Sequence, residues 1–247
     1  MNVERRNNEM AQAVLIAQRG SSKITREELK DIPAPTPTLT HRPIPHDEVV
    51  GLLIETLSFR HIHVKHDEYA VSSNGMKLFG IMTLETEYSG VNFAIGLRNS
   101  NDKSMRLALT AGYRVLVCSN MAFHGEFLPI QHKHTHGLEL SEAVSVGVDK
   151  IQRNFASLEH QIAAWQRRGL YDSQAKLIIY QAFIQSDFPK QLMNTVHDYY
   201  FNPRYEEFSG RNLWSLSNAF TSAFKDLSPV AQFRMTARLA GFMPQFG

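Results

Sequence analysis

The feature that most constrains the fold is a change of hydrophobic period near residue 140. Before it, three apolar runs are typical of β-strands: HIHVKHDEYAVS, KLFGIMTLET and VNFAIGLRN. After it, apolar residues recur at spacings of four and three from Val144 to Trp165, which predicts one face of a long helix. Strands followed by helices predict an α+β fold, with an antiparallel sheet first and a helical C-terminal half.

Two short turns connect the strand-like runs. Asn74-Gly75 and Ser89-Gly90 are typical of tight hairpins, so the runs predict an antiparallel meander. The next stretch, SMRLALTA, predicts a short helix that begins near Asp102 or Ser104 and is closed by Gly112. Extended runs at 113–119 and 126–135 complete the predicted sheet region.

The first 45 residues differ from the rest of the chain. A short helix is predicted at 8–18, and Thr25 with Glu28 forms a capping-box pattern. The following stretch, DIPAPTPTLTHRPIP, holds five of the ten prolines and predicts an extended arm outside the core. We therefore expect three regions: a proline-rich arm over 1–45, an α+β sheet core over 46–140, and a helical region over 141–247.

Helix signals mark both ends of the core. His46 or Asp47 is the expected cap of a helix that opens the sheet region, and Ser141 the cap of the long helix. At about 1.5 Å per residue the long helix overhangs the sheet, so it needs a partner, either the C-terminal helices or another copy. Further helices are predicted at 173–186, 190–200 and 210–226, and from Ser228-Pro229 to Gly241.

Composition excludes several classes of site but does not select a function. Cys118 is the only cysteine, which excludes an internal disulfide and a zinc site built on several thiolates. No apolar stretch is long enough to span a membrane, and the start lacks the apolar segment of a secretion signal. We expect a soluble cytoplasmic protein without a membrane partner. The net charge of +2 permits an acidic partner but does not select one.

The histidines allow two interpretations. In a strand, His132, His134 and His136 point to one face, and His61 with His63 could lie on an adjacent strand. Such rings can bind a metal, but a catalytic zinc needs three protein ligands and an open position. The alternative is the polar edge of a strand, and we predict neither a metal site nor a cofactor.

The segment GLRNSNDKSMR, at 96–106, is the second place where chemistry is expected. Amides at a helix start beside Arg98, Lys103 and Arg106 would form a phosphate site, and the alternative is an ordinary capped turn. No phosphate-binding glycine loop, serine elbow or zinc-protease helix is present, so an enzyme is the less favoured class. Aromatic residues after 198 could stack on bases, but Trp214, Phe220 and Phe224 lie on apolar helix faces and are expected in the core.

Several blocks of the chain carry a family resemblance. AIGLRNSNDKSMRLALTAGYRVLVCSNMAF, then KHTHG and RNLWSLSNAFTSAF, resemble the phage- and plasmid-associated proteins grouped as domain of unknown function family 932. The resemblance extends from about Pro45 to Ala223, and of the histidine triplet only His134 belongs to the pattern. It implies residence on mobile elements of bacteria, in the bacterial or infected-host cytoplasm, and no established activity.

The order of helix, antiparallel strands and helix is similar to that of phage single-strand annealing proteins, which suggests binding of single-stranded nucleic acid by a homo-oligomer. The alternatives are a protein-binding inhibitor of a host defence system and, less favoured, a metal-dependent enzyme. The residues predicted to form a basic nucleic-acid site are Arg98, Asn99, Ser100, Lys103, Arg106, Arg114, Lys133 and His134.

Overall fold

The computed structural model describes residues 21–247 except 117–119, 124–127 and 133–138. These residues form an α+β fold, as predicted, with one antiparallel sheet and six α-helices. The strands are β1 (Ser21–Ile24), β2 (Val64–Ser72), β3 (Lys77–Tyr88), β4 (Val91–Ser100), β5 (Leu107–Val115), β6 (Met121–Phe123) and β7 (Leu128–His132). The helices are α1 (His46–Phe59), α2 (Leu140–Arg167), α3 (Asp172–Gln185), α4 (Met193–Phe201), α5 (Leu213–Ala223) and α6 (Pro229–Phe242).

The predicted meander is confirmed. The strands follow the order β1-β2-β3-β4-β5-β6, and β7 also pairs with β5. Ser89 and Gly90 both have positive φ, 48° and 81°, as a two-residue hairpin turn with matching twist requires. Tyr88 pairs with Val91 directly beside this turn.

The predicted short helix at 104–111 is wrong, because β5 occupies most of that stretch. Ala108 pairs with Arg98 and Val115 with Val91, so β5 lies along most of β4. Both faces of β5 are covered, which removes the polar alternation that normally marks a strand. Gly112 does not close a helix; a Cβ at this position would lie 2.5 Å from the Ala122 carbonyl oxygen of the neighbouring strand.

The first face of the sheet carries the main core. Alternate residues of the strands, such as Phe93 and Tyr113, are buried in one hydrophobic cluster with side chains of α1, α2 and α5. Phe93 stacks on Phe155 of α2 with ring centroids 4.5 Å apart, and Tyr113 packs against Trp214 of α5 at 5.4 Å. Helix α2 thus contacts α1, the sheet and α5, so the C-terminal region is one of its partners.

The second face of the sheet is built from small residues. Gly96, with Ala94 and Thr110 beside it, leaves room for Phe233 of α6, which stacks on Phe123 at 4.3 Å. A Cβ at Gly96 would lie 2.6 Å from the Phe233 ring. The glycine therefore allows α6 to pack closely on this face.

The segment before α1 adds to the folded unit. β1 pairs with β2, and Thr25 forms a capping box with Glu28, whose carboxylate accepts from the Thr25 amide at 2.7 Å. The prediction of an arm outside the core fits Leu39, which is 97% exposed, but not Leu29 and Ile44, which are buried in the core cluster. The helix predicted at 8–18 lies outside the described residues.

The helices form where the sequence predicts them, but several caps differ. Pro45 precedes α1 and Glu139 precedes α2, and neither caps by its side chain; the ring of His46 instead bonds to the backbone of Gly75. Asn212 caps α5 by accepting from the Ser215 amide, and residues 206–208 before it form a short 3-10 helix. Ser228 caps α6 as predicted, by accepting from the Ala231 amide.

Candidate functional site

The turn after β4 is a closed polar turn and not the start of a helix. Asp102 accepts from the Ser104 amide at 2.9 Å and from the Ser100 hydroxyl, and Lys77 Nζ lies 3.4 Å from its carboxylate. Burial opposes ionisation of Asp102, but these hydrogen bonds and the Lys77 charge hold its pKa well below the usual range. The predicted phosphate seat at a helix start is therefore wrong, since no helix begins here.

Two predicted site residues at the end of β4 are buried inside the fold. Asn99 is fully buried, and its amide nitrogen bonds to the Ile44 carbonyl oxygen at 3.1 Å and to His46 Nδ1 at 2.9 Å. Ser100 is also fully buried. Asn99 fixes the segment before α1 against the sheet, so we infer a structural role for it.

Arg98 and Arg114 both lie on the second face of the sheet. Burial lowers the pKa of each guanidinium, and for Arg114 the nearby Glu68 carboxylate opposes this. Arg114 Nη1 lies 3.8 Å from Glu68 Oε2, and Lys23 Nζ lies 3.2 Å from the other carboxylate oxygen. The charge of Arg114 is thus balanced by a buried carboxylate.

Arg114 lies apart from the other described cations of the predicted groove. Lys103 and Arg106 are exposed in the turn before β5, whereas Arg114 lies at the far end of that strand. Eight residues of extended chain separate Arg106 from Arg114, which is about 26 Å. Lys133 and His134 lie outside the described residues.

The two histidine groups do not share neighbouring strands. His61 and His63 are exposed and precede β2, and β2 is separated from β7 by β3, β4 and β5. His61 and His63 therefore do not lie on a strand adjacent to β7, which carries His132. His134 and His136 lie outside the described residues, and within the described ranges no three His, Cys, Asp or Glu side chains form a metal-binding group.

A different site lies in the helical half. An open cleft of about 70 Å³ is bounded by the end of α4, the 202–208 segment and one face of α5. A cavity needs only about 10–15 Å³ to hold one water, so this cleft admits part of a ring. Its lining residues are Tyr199, Arg204, Tyr205, Phe208, Ser215, Asn218, Ala219, Ser222 and Lys225.

The rim of this cleft, which we call the aromatic cleft, combines rings with cations. The Arg204 guanidinium lies 5.0 Å from the centroid of the Tyr199 ring, within the range of a cation–π contact. Tyr205 is 38% exposed and meets the buried Phe208 edge-on, with ring centroids 6.1 Å apart. Lys225 lines the cleft from beyond the end of α5.

The floor of the aromatic cleft is one face of α5. Ser215, Asn218 and Ser222 recur at spacings of three and four residues, so they lie on the same side of the helix. Asn120, from the other half of the chain, donates to Asn218 Oδ1 at 3.2 Å and to Ser222 Oγ at 2.8 Å. The floor is therefore held by a polar contact between the sheet region and the helical region.

Ser215 stands out within the floor. Its residue is 2% exposed, yet its hydroxyl has no hydrogen-bond partner within the part of the chain that the structure describes. Buried hydroxyls are normally paired, because an unmade hydrogen bond is costly away from water. The hydroxyl oxygen itself has less than 1 Å² of accessible surface, so it lies beneath the surface of the cleft.

Among the described residues, none of those predicted to form the nucleic-acid site lines the aromatic cleft. The aromatic residues after 198 were expected to be able to stack on bases, and the structure places Tyr199, Tyr205 and Phe208 around the cleft. The expected burial of Trp214, Phe220 and Phe224 is confirmed. Sequence reasoning missed the polar floor, although a polar residue at every third or fourth position of an apolar helix was a usable signal.

Comparison with protein-family models, curated proteins and solved structures finds no match for this chain. Among the described residues, no helix combines the length and the apolar character that crossing a membrane requires.

Proposed function

We propose that the protein binds single-stranded nucleic acid and that the aromatic cleft receives one unstacked base. The observation that carries the proposal is the arrangement of Tyr199, Tyr205, Arg204 and Lys225 around a cleft with a buried polar floor. Exposed aromatic rings stack on bases of any sequence, and cations beside them attract the backbone phosphates.

The cleft favours a single strand over a duplex. In a duplex both faces of each base are covered by its neighbours, so a ring such as Tyr205 can stack only on a base that has left the helix. A single strand exposes its bases without that energetic cost.

The residues predicted from the β4–β5 region take different parts in this proposal. Lys103 and Arg106 are exposed and would add phosphate contacts away from the cleft. Arg98 and Arg114 are instead half-buried on the second face of the sheet, and Asn99 and Ser100 are buried inside the fold. A homo-oligomer would align several clefts along one strand. The same proposal includes annealing of single strands by such an oligomer, in the bacterial or infected-host cytoplasm.

A salt titration tests the proposal. Fluorescence anisotropy of a labelled oligothymidine should report binding at about 50 mM salt, with affinity falling as salt rises. Two phosphate contacts, from Arg204 and Lys225, give a slope of log K against log salt of about −1.4, or steeper where Lys103 and Arg106 also contribute. Glu206 and Glu207 follow Arg204 closely in the chain and keep the local net charge low, which argues against a much steeper slope from the cleft itself.

A matched pair of variants assigns the binding to the cleft. Arg204→Gln should make the slope shallower by about 0.7, because one phosphate contact is lost. Arg153→Gln removes the same charge from an exposed position of α2 that does not line the cleft, and should change nothing. Absence of binding at low salt, or equal effects of the two variants, would contradict the proposal.

One observation favours the alternative, a protein-binding inhibitor of host defence. Helix α3 exposes Leu177, Tyr180 and Ile184 to 56%, 51% and 46%, and this stripe contains no charged residue. Apolar surface without charge is typical of the centre of a protein interface. A chain that ignores the oligonucleotide at low salt and co-purifies with one host protein would support this alternative instead.

A further inference from the structure

We propose that the exposed apolar stripe of α3 is a dimer interface, and that it packs against the same stripe of a second copy in antiparallel orientation. The stripe consists of Leu177, Tyr180 and Ile184. The proposal goes beyond the proposed function, because a dimer through this surface does not require nucleic acid.

The spacing of the stripe fits a helix that packs on another helix. Leu177, Tyr180 and Ile184 follow one another after three and four residues, which is the spacing of a coiled-coil seam. The side chains that hold α3 in the fold are on its other face and are buried: Ala175, Ile178, Ile179, Ala182 and Phe183. The stripe is therefore apolar surface that the packing of α3 on the core does not use.

An antiparallel pair makes the stripe complementary to itself. A twofold axis that passes between residues 180 and 181 places positions at equal distances from it opposite each other in the two copies. Leu177 then faces Ile184 of the second copy, and the two Tyr180 side chains meet at the axis. Each apolar side chain of the stripe thus gains an apolar neighbour.

The charges around the stripe favour the same arrangement. Asp172 and Lys176 are exposed near the start of α3, and Asp187 and Lys190 are exposed just beyond its end. An antiparallel pair brings Asp172 toward Lys190 of the second copy and Lys176 toward Asp187, so acidic groups approach basic groups at both ends. A parallel pair would place each charge beside its own counterpart, and like charges repel. This complementarity favours a second copy over an unrelated partner.

The size of the stripe indicates a weak dimer. Its three side chains expose on the order of 300 Å² per copy, so the interface with its polar flanks buries less than about 1,200 Å² in total, the range of transient contacts. The dimer is therefore expected to form near about 100 μM protein and to dissociate near about 5 μM.

Sedimentation equilibrium of the full chain without nucleic acid tests the interface. Tyr180→Glu should raise the dissociation constant of the dimer by about 30-fold or more, because it puts two charges at the centre of the interface. Its melting temperature should stay that of the parent protein, since Tyr180 is exposed. The control is Phe59→Glu, which alters an aromatic side chain of α1 that is 86% exposed and should leave the dissociation constant unchanged.

Cysteine cross-linking tests the antiparallel orientation. Cys118, the single cysteine of the chain, is first replaced in Cys118→Ser. On that background, a mixture of Leu177→Cys and Ile184→Cys should form a disulfide-linked dimer on mild oxidation. Leu177→Cys alone should not, because the two cysteines would be separated by about 10 Å along the helices, beyond the reach of a disulfide.

Each outcome decides for or against the dimer. A parent protein that is monomeric at about 200 μM overturns the proposal, and binding of a host protein by such a monomer would support the alternative function instead. Equal dimerisation of Tyr180→Glu and the parent protein, or cross-linking of Leu177→Cys to itself, also overturns it. A dimer that does not bind oligothymidine would contradict the proposed function and leave this inference intact, and a monomer that binds it would do the reverse.

Discussion

At the scale of single residues, His46 is a buried histidine whose tautomer is set by its neighbours. Asn99 has two amide hydrogens, one directed at the Ile44 carbonyl oxygen and one at His46 Nδ1, so Nδ1 must accept. His46 Nε2 then donates to the Gly75 carbonyl oxygen at 2.9 Å. The ring is thus neutral in the folded protein and joins α1 to the β2–β3 turn.

This arrangement predicts a loss of stability in mild acid. Burial lowers the pKa of His46 from 6.5, opposed by the Gly75 bond and the Asp47 charge. The unfolded chain therefore binds the proton more tightly, and the stabilisation present above about pH 6.5 is lost as the pH falls toward the folded pKa. Urea unfolding between pH 8 and 5 should show this, with a slope from His46 of at most about 1.4 kcal/mol per pH unit.

Two substitutions isolate the contribution of His46. His46→Gln should be less stable at pH 8 but should have a flatter dependence on pH, since the titrating ring is gone. His63→Gln removes an exposed histidine and should leave the pH profile of the parent protein unchanged. A parent-like slope in His46→Gln would show that other groups cause the acid sensitivity.

Sequence alone did not reveal this role for His46. A histidine next to Pro45 at a helix start is a plausible cap, and its true partners, Gly75 and Asn99, are 29 and 53 residues away. The same holds for Asn218 and Ser222, whose shared partner, Asn120, is 98 and 102 residues away. Residue roles that depend on long-range partners cannot be derived from local spacing.

At the scale of elements, period and turn chemistry predicted most of the fold. The Ser89-Gly90 turn and the heptad-like spacing of α2 are local signals, and both elements are confirmed. The sequence pattern did not identify β5 because both its faces are buried, and every residue of this strand except Arg114 is buried. The strand therefore lacks polar alternation, and the spacing of Ala108 and Ala111 is typical of a helix instead. Pairing with β4 along most of its length decides its conformation.

Close packing of α6 on the sheet predicts a strong effect at Gly96. In Gly96→Ala the new methyl group would lie 2.6 Å from Phe233, 2.7 Å from Thr110 and 2.8 Å from Phe123, so these buried side chains or the elements that carry them must shift. Overpacking of this kind typically costs about 1–3 kcal/mol. Denaturant unfolding followed by circular dichroism should show this loss of stability.

Gly51 of α1 is the matched control for Gly96. A Cβ at Gly51 meets no atom within 4 Å, so Gly51→Ala should stabilise the protein by up to about 1 kcal/mol through helix propensity. The two alanine substitutions are thus expected to have opposite signs. A neutral Gly96→Ala would show that Phe233 does not pack tightly on the second face.

At the scale of the whole molecule, the proline-rich segment shows why sequence patterns misjudge long-range packing. Prolines between 33 and 45 indicate an extended chain, and Leu39 is indeed exposed. The local pattern cannot show, however, that β1 pairs with β2 or that Arg26 bonds to Asp67 Oδ2 at 2.6 Å. Extended chain is compatible both with a detached arm and with a segment packed along the core.

Two leucines within residues 21–45 test whether that stretch unfolds together with the sheet. Leu29→Ala removes a side chain that is fully buried in the main core cluster and should cost about 2–5 kcal/mol, measured by thermal and urea unfolding. Leu39→Ala alters a side chain that is 97% exposed and should change stability by less than about 0.5 kcal/mol. Since Leu29 belongs to the same cluster as Phe93 and Tyr113, the loss should appear in a single cooperative transition. A Leu29→Ala protein as stable as Leu39→Ala, or one with a separate early transition, would show that residues 21–45 fold independently of the sheet.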